Sequence, residues 1–291
     1  MVKHLPPAVK QLLTLRNPYP LPSPPKSTLQ QVLSKTFQDA KQKKAETGWL
    51  VLAACTLLTA NRPPAFGQLY RFTTRSDLSH DVRNTSLTDA LNKAALIRES
   101  ALKSTIFVGV PRVILSFAAL NEVLEDDVRD ALRKTSRRTA TPDNIESTLV
   151  RGRALWDSIY TPHADKLHDK LGSYHPDFIA FIIQSYGAVL SPLPGKTKSF
   201  SDENSVDDTD QGNLSRALGS IVGIACLRAE ERVVPQLTSH VFGLLKARYV
   251  ENQSEEDAWL SSDEGTEWVI RTVDDILDGV REEGSQVQAK L

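Results

Sequence analysis

Apolar residues recur along this chain at the three- and four-residue spacing of helices, not in the alternation of strands. No segment combines alternation with β-branched and aromatic residues over a strand's length, so the pattern predicts an all-α protein. The first clear apolar stripe places Leu29, Leu33 and Phe37 on one helical face. Ser27 and Gln30 have the spacing of a capping box, which predicts that this helix begins directly after Ser27.

Proline and glycine mark most of the other predicted helix ends. A buried helix over about 48–60 is predicted to end before Pro63, and a long helix over about 87–108 to end at Gly109. Pro111 then suits the first turn of the following helix. Three X-Pro steps give the same start signal further along: Thr141-Pro142, Thr161-Pro162 and His175-Pro176.

The pattern divides the chain into an arm, two helical halves and a tail. We place the Pro-rich arm at 1–27, the first half at 28–135, the second half at 136–283 and a flexible tail at 284–291. An acidic stretch at about 191–212 has few apolar residues and is predicted to be a mobile loop within the second half.

The two halves share a weak sequence likeness. A small-residue apolar segment ending at Cys55 precedes Gln68-Leu69, and a similar segment ending at Cys226 precedes Gln236-Leu237. This likeness favours an origin by duplication.

Charge and cysteine content exclude several classes of function. The 291 residues carry 35 Lys and Arg against 36 Asp and Glu, so the net charge of −1 gives no general attraction to nucleic acid. The longest run of low polarity, Trp49 to Leu58, is too short to cross a bilayer, so we expect no membrane insertion. The two cysteines cannot form a disulfide framework or a Cys-rich zinc site, and we expect no metal centre.

The last three residues, Ala289-Lys290-Leu291, are a conservative variant of the Ser-Lys-Leu tripeptide that the peroxisomal import receptor reads. We therefore expect the import receptor as a partner and the peroxisomal matrix as the location. A weaker mitochondrial alternative stays open, because the first 38 residues carry five bases and no acid. The seven prolines within residues 1–25 interrupt any continuous transit helix.

Residues 98–111 contain five residues in a regular order that matches a known sequence pattern. Glu99 is followed four residues later by Lys103, four residues after that by Phe107, and then by Gly109 and Pro111. This segment resembles the carboxymuconolactone decarboxylase family, which includes the AhpD-like alkylhydroperoxidases. Lys103 stands where Gln is commoner, and Phe107 where Tyr is commoner.

A second segment, Gln236-Leu237-Thr238-Ser239-His240, is similar to the family's Gln-Leu-x-x-His. AhpD-type peroxidases carry Cys-x-x-Cys before that histidine, whereas this chain has Val233 and Gln236 at those positions. A dithiol peroxidase cycle needs both thiols, so the resemblance is to the decarboxylase-like branch without them.

The resemblance implies an AhpD-like helical fold that assembles as a homo-oligomer, a dimer or a trimer. It implies a lyase or isomerase that needs no cofactor and acts on a small organic acid or a peroxide-derived metabolite. His240 and Glu99 would exchange the proton. Gln236, Lys103 and Phe107 would contact the substrate.

Structural explanations of the same residues stay open. His240 lies in an apolar helix and fits a core histidine bonded to a backbone carbonyl, and Glu99 fits a helix-stabilising pair with Lys103. The alternative function is therefore a non-catalytic helical scaffold or binding protein of the peroxisome. Polar groups converging in a cavity at His240 would favour the enzyme, and a closed aliphatic pocket would favour the scaffold.

Overall fold

The computed structural model of this protein describes residues 4–201 and 209–281. Within these ranges the chain is helical and contains no strand, which confirms the all-α prediction. No helix of the described ranges is long and apolar enough to span a membrane. The predicted targeting tripeptide at 289–291 and the central part of the acidic loop lie outside the described residues.

Seven helices precede residue 132: α1 (Pro7–Leu13), α2 (Lys26–Gln42), α3 (Glu46–Thr59), α4 (Pro63–Thr74), α5 (Leu87–Val108), α6 (Val110–Val123) and α7 (Asp126–Ala131). Three helices and a π-helical turn follow: α8 (Ile145–Tyr160), α9 (Ala164–Tyr174), α10 (Pro176–Ser185) and the turn Tyr186–Leu190. The described chain ends with α11 (Arg216–Glu230), α12 (Val234–Ala247), α13 (Glu255–Leu260) and α14 (Asp263–Arg281).

Local capping chemistry sets the limits of α5 and α10 as the sequence predicts. The Ser86 side chain accepts the Asp89 N–H at the start of α5, which ends at Gly109 with a φ of 81°. The ring of His175 accepts the Asp177 N–H at 3.2 Å at the start of α10.

Three predicted helix starts, those of α2, α8 and α9, are wrong. The helix α9 begins at Ala164 with His163 as its N-cap residue, and not at Pro162. The helix α2 begins at Lys26, because Pro25 already has the extended conformation of an N-cap residue, so Ser27 lies inside the first turn and caps nothing. The helix α8 begins at Ile145 and not at Pro142, because the Asn144 amide closes a turn first. That amide accepts the Thr141 N–H and donates to a backbone carbonyl, each at 2.9 Å.

The main core surrounds α3, whose side chains are buried on every face. Helices α2, α4, α5, α11 and α14 pack against it, so one apolar cluster draws on both predicted halves. A helix that is apolar all round needs neighbours on all sides, which explains this central position.

A smaller cluster joins α8, α9, α10 and the π-helical turn around Trp156, whose indole N–H donates to the Ala164 carbonyl at 3.1 Å. Two glycines let α8 and the turn approach closely. A Cβ atom at Gly152 would lie 2.0 Å from the Ile183 carbonyl oxygen, and one at Gly187 would lie 1.8 Å from the Thr148 carbonyl oxygen. Only hydrogen fits at either position.

The predicted acidic loop is described only at its two ends, and both ends contact the core. The Phe200 ring lies 5.2 Å from the Phe37 ring and beneath the Lys93 ammonium. At the other end, a Cβ atom at Gly212 would lie 2.7 Å from the carbonyl oxygen of Ala95 on α5.

Gly152→Ala is expected to destabilise the protein by about 1–3 kcal/mol or more, because the added methyl group collides with backbone that cannot move independently. Urea unfolding followed by circular dichroism measures this loss. Gly172→Ala in α9 is the matched control, since its Cβ atom would meet only an ordinary contact at 3.7 Å. The control is expected to keep or slightly raise stability, and an equal loss in both variants would contradict the packing argument.

Candidate functional site

The ring of His240 is buried in α12 with 3% of its surface exposed. Its nearest aromatic neighbour is Phe107, whose ring centroid lies 5.1 Å away in an edge-on arrangement. On the other side a Cβ atom at Gly223 would lie 2.5 Å from the His240 Nδ1 atom, so α11 leaves room for the imidazole only because this residue is glycine.

Beside His240 lies a cavity of about 10 Å³, with Arg216 and Ser220 as polar neighbours and Leu155 and Ile159 as aliphatic ones. This volume holds about one water molecule and no organic acid. Burial lowers the pKa of His240 to about 4, and the positive charge of Arg216 acts in the same direction. The imidazole is therefore neutral at pH 7.

Glu99 pairs with Arg138 and Lys103, and not with His240 as the sequence predicted. Its buried carboxylate accepts hydrogen bonds from the Arg138 guanidinium, one of them at 3.3 Å, and lies 3.6 Å from the Lys103 ammonium. Among the described residues, neither a hydrogen bond nor an ion pair joins Glu99 to His240. The i,i+4 pair with Lys103 is present, and the proposed proton-transfer pair with His240 is not formed.

Lys103 caps the end of the π-helical turn. Its ammonium, 1% exposed, donates to the carbonyl oxygens of Val189, Leu190 and Ser191 at 2.9, 2.7 and 3.0 Å. Burial lowers its pKa to about 8, against the stabilising charge of Glu99. A lysine ammonium has three donors, and these carbonyls use all of them, so none is left for a substrate.

The remaining proposed substrate contacts do not share a cavity. Gln236 is exposed in the first turn of α12, while Phe107 is half-buried against His240. The structure therefore brings together Phe107 with His240, and Lys103 with Glu99, but leaves Gln236 at the surface.

The two cysteines, 171 residues apart in sequence, meet in the core. The hydroxyl of Ser104 on α5 lies 3.4 Å from the sulfur of Cys55 on α3 and 3.3 Å from that of Cys226 on α11. Both are free thiols with no exposed surface, and burial raises the pKa of Cys55. A buried neutral thiol is a poor nucleophile, so this pair does not reproduce a peroxidase site.

A cleft of about 750 Å³ lies where α13 faces the beginnings of α3 and α11. Glu256 accepts the Gly48 N–H there at 2.8 Å, and burial raises its pKa to about 7. Asp257 accepts the Ser215 hydroxyl at 2.9 Å, and burial raises its pKa as well. A carboxyl group with a pKa near 7 can both give and take a proton at neutral pH.

No sequence signal marks this cleft, because Ser254-Glu-Glu-Asp257 has the composition of an ordinary acidic first turn of a helix. The Ser254 hydroxyl accepts the Asp257 N–H at 3.0 Å and caps α13. Arg216 borders both this cleft and the cavity at His240. In the described ranges no three His, Cys, Asp or Glu side chains are placed to hold a metal ion.

The buried imidazole predicts a pH dependence of stability. Between pH 6.5 and about 4 an unfolded His240 binds a proton that the folded one does not, so the folded state loses stability as the pH falls through this window. Between pH 7 and pH 5 the wild type is expected to lose about 2 kcal/mol more than His240→Gln. Urea unfolding at the two pH values measures this difference.

His163→Gln serves as the control for that measurement, because His163 is exposed. It is expected to show the same fall in stability as the wild type. An unchanged pH dependence in His240→Gln would mean that the buried ring titrates normally.

Comparison of the chain with models of known protein families, with curated proteins and with solved structures gives no match.

Proposed function

We propose that this chain is a non-catalytic helical protein of the carboxymuconolactone decarboxylase-like, AhpD-like type, and that it binds a small molecule. One observation supports the proposal: the Glu99 carboxylate and the His240 imidazole, which would exchange a proton, have different neighbours. Glu99 is neutralised by Arg138 and Lys103, and His240 adjoins a cavity of about 10 Å³.

The two departures from the family pattern support the same conclusion. Lys103 replaces an uncharged amide with an ammonium, and the three carbonyls of the π-helical turn take its donors. Phe107 replaces a phenol with a plain ring, which packs edge-on against His240 and offers no hydroxyl to a ligand. Both residues therefore stabilise packing where the family pattern has hydrogen-bonding groups.

The test is a thermal-shift screen of the full chain against small organic acids, followed by NMR of each ligand after incubation with the protein. We expect ligands that raise Tm, corresponding to about 2.7 kcal/mol at one hundred times Kd, and that are recovered unchanged. His240→Gln is expected to bind them as the wild type does. Turnover by the wild type that is lost in His240→Gln would overturn the proposal, since general acid–base catalysis contributes about 10² to 10⁴ in rate.

A second candidate is a lyase or isomerase that acts on a small organic acid in the large cleft. The observation that favours it is a carboxyl group, Glu256, with a pKa of about 7 in the same cleft as the Arg216 guanidinium. In the same NMR assay this enzyme would lose turnover in Glu256→Gln and keep it in His240→Gln. Glu255→Gln, which changes the exposed neighbouring residue, is the control.

For location we propose import into peroxisomes through the tripeptide Ala289-Lys290-Leu291, and for assembly the dimer or trimer that the family resemblance implies. The import receptor reads this tripeptide only at a free carboxyl end. The proposal rests on the sequence of the tail alone.

Removing Ala289 to Leu291 from a protein with a fluorescent reporter at its amino end is expected to leave the reporter in the cytosol. Co-localisation with a peroxisomal marker is the measurement. Deletion of residues 285–288, which keeps the tripeptide, is the control and is expected to preserve import. Peroxisomal reporter without the tripeptide would place the signal elsewhere.

A further inference from the structure

A second cleft, of about 420 Å³, lies between α5, α6 and the end of α7. One wall is apolar and comes from Phe117, Leu120 and Leu124. The opposite side carries basic residues, and none of the described residues that line the cleft is acidic. The volume falls within the range of small-molecule sites, which are about 300–1,000 Å³.

Two of the four basic side chains in this cleft are already paired with carboxylates. Arg129 bonds Asp126 at 2.5 Å and also donates to backbone carbonyls, and Lys134 lies 4.0 Å from Asp130. These two residues are engaged within their own turn of the chain.

The other two guanidiniums form no ion pair with a carboxylate of the described residues. Arg98 on α5 makes no hydrogen bond or ion pair with any described residue, although the side chain is half-buried. Arg133 donates to the Thr135 carbonyl at 2.7 Å, while its buried Nε atom has no partner. Arg98 and Arg133 line the same cleft, and burial together with the charge of Arg133 lowers the pKa of Arg98.

Neighbouring groups hold this pair in position without neutralising it. The Gln211 side chain accepts the Arg133 N–H at 2.6 Å and fixes the backbone beyond α7. A smaller cavity of about 90 Å³ also borders Arg98 and Arg133 and extends to Glu99. The negative charge of Glu99 partly offsets the effects of burial and of Arg133 on the pKa of Arg98, but the ion pairs of Glu99 are with Arg138 and Lys103.

We propose that this cleft binds an amphipathic anion, with a carboxylate or phosphate head held by Arg98 and Arg133 and a short apolar body lying on Phe117, Leu120 and Leu124. This inference rests on the proposed binding role and names the class of ligand. The planar guanidinium fork recognises carboxylate and phosphate oxygens in pairs, so one head can neutralise both side chains. The apolar wall then selects among anions by the length of their hydrocarbon body.

The test measures binding of octanoate, octyl phosphate and octanol to the full chain by calorimetry. We expect one or both anions to bind and octanol to bind at least tenfold more weakly. The first two ligands distinguish a carboxylate site from a phosphate site. Across butyrate, hexanoate and octanoate each added CH₂ is expected to tighten binding by about fourfold at most, the factor that corresponds to complete burial.

Arg98→Gln and Arg133→Gln are each expected to weaken binding of the anion at least tenfold. Arg271→Gln is the matched control, since Arg271 is an exposed arginine on α14 paired with Glu267, and its affinity is expected to equal that of the wild type. Because Arg98 has no partner to lose, Arg98→Gln is expected to keep or raise Tm. A retained Tm assigns the weaker binding to the ligand contact and not to misfolding.

Wild-type protein that binds neither anion, or variants that bind them unchanged, would overturn the site. If neither anion binds while the metabolite screen still finds an unaltered ligand, the ligand class fails and the binding role stands. If the anion binds at Arg98 and is chemically converted, the site stands and the non-catalytic function fails.

Discussion

Three backbone carbonyls at the end of the π-helical turn point at a single buried ammonium, that of Lys103 on α5. Removing a charge from water is costly, and here the carbonyls and the Glu99 carboxylate offset that cost together. Arg138 completes the network by bonding Glu99. The contact ties α5, in the main core, to the smaller cluster of α8–α10, so the mutual placement of the two clusters depends on it.

The same ion pairs of Glu99 with Lys103 and Arg138 determine the contacts of the segment 98–111, which resembles the decarboxylase family. In that segment Glu99 was predicted to exchange a proton and Lys103 to contact the substrate. In the structure the Glu99 carboxylate pairs with Arg138 and Lys103, and the Lys103 ammonium donates to three backbone carbonyls. His240 pairs with no carboxylate of the described residues, and burial beside Phe107 and Gly223 lowers its pKa and keeps it neutral.

A net charge of −1 conceals strong local separation of charge. Glu256 and Asp257 gather at one cleft, where burial favours their protonated forms. Arg98 and Arg133 gather at another, and none of the described residues that line it is acidic. Uncompensated charge in a cleft costs stability in the free protein, and a ligand of opposite charge removes that cost. Both clefts therefore place charged side chains away from the Glu99–Lys103 ion pair.

Local signals were enough to predict much of the helical framework. The capping hydroxyl of Ser86 and the left-handed Gly109 bound α5 at the predicted residues, and the uniformly apolar sequence of α3 predicted a helix buried on all sides. Such features depend on neighbours in sequence, whose chemistry is readable from the chain. Ser27 was misread because Pro25, two residues earlier, already supplied the N-cap conformation.

The site depends on contacts that no local pattern encodes. Cys55 and Cys226 meet at Ser104 because three helices from distant parts of the chain converge there. Glu99 faces Arg138 and not His240 because the segment after α7 folds back over α5. The sequence by itself determined which helices form and which faces they bury, whereas only the tertiary structure decided which charges meet, since burial and partner identity are properties of the packed molecule.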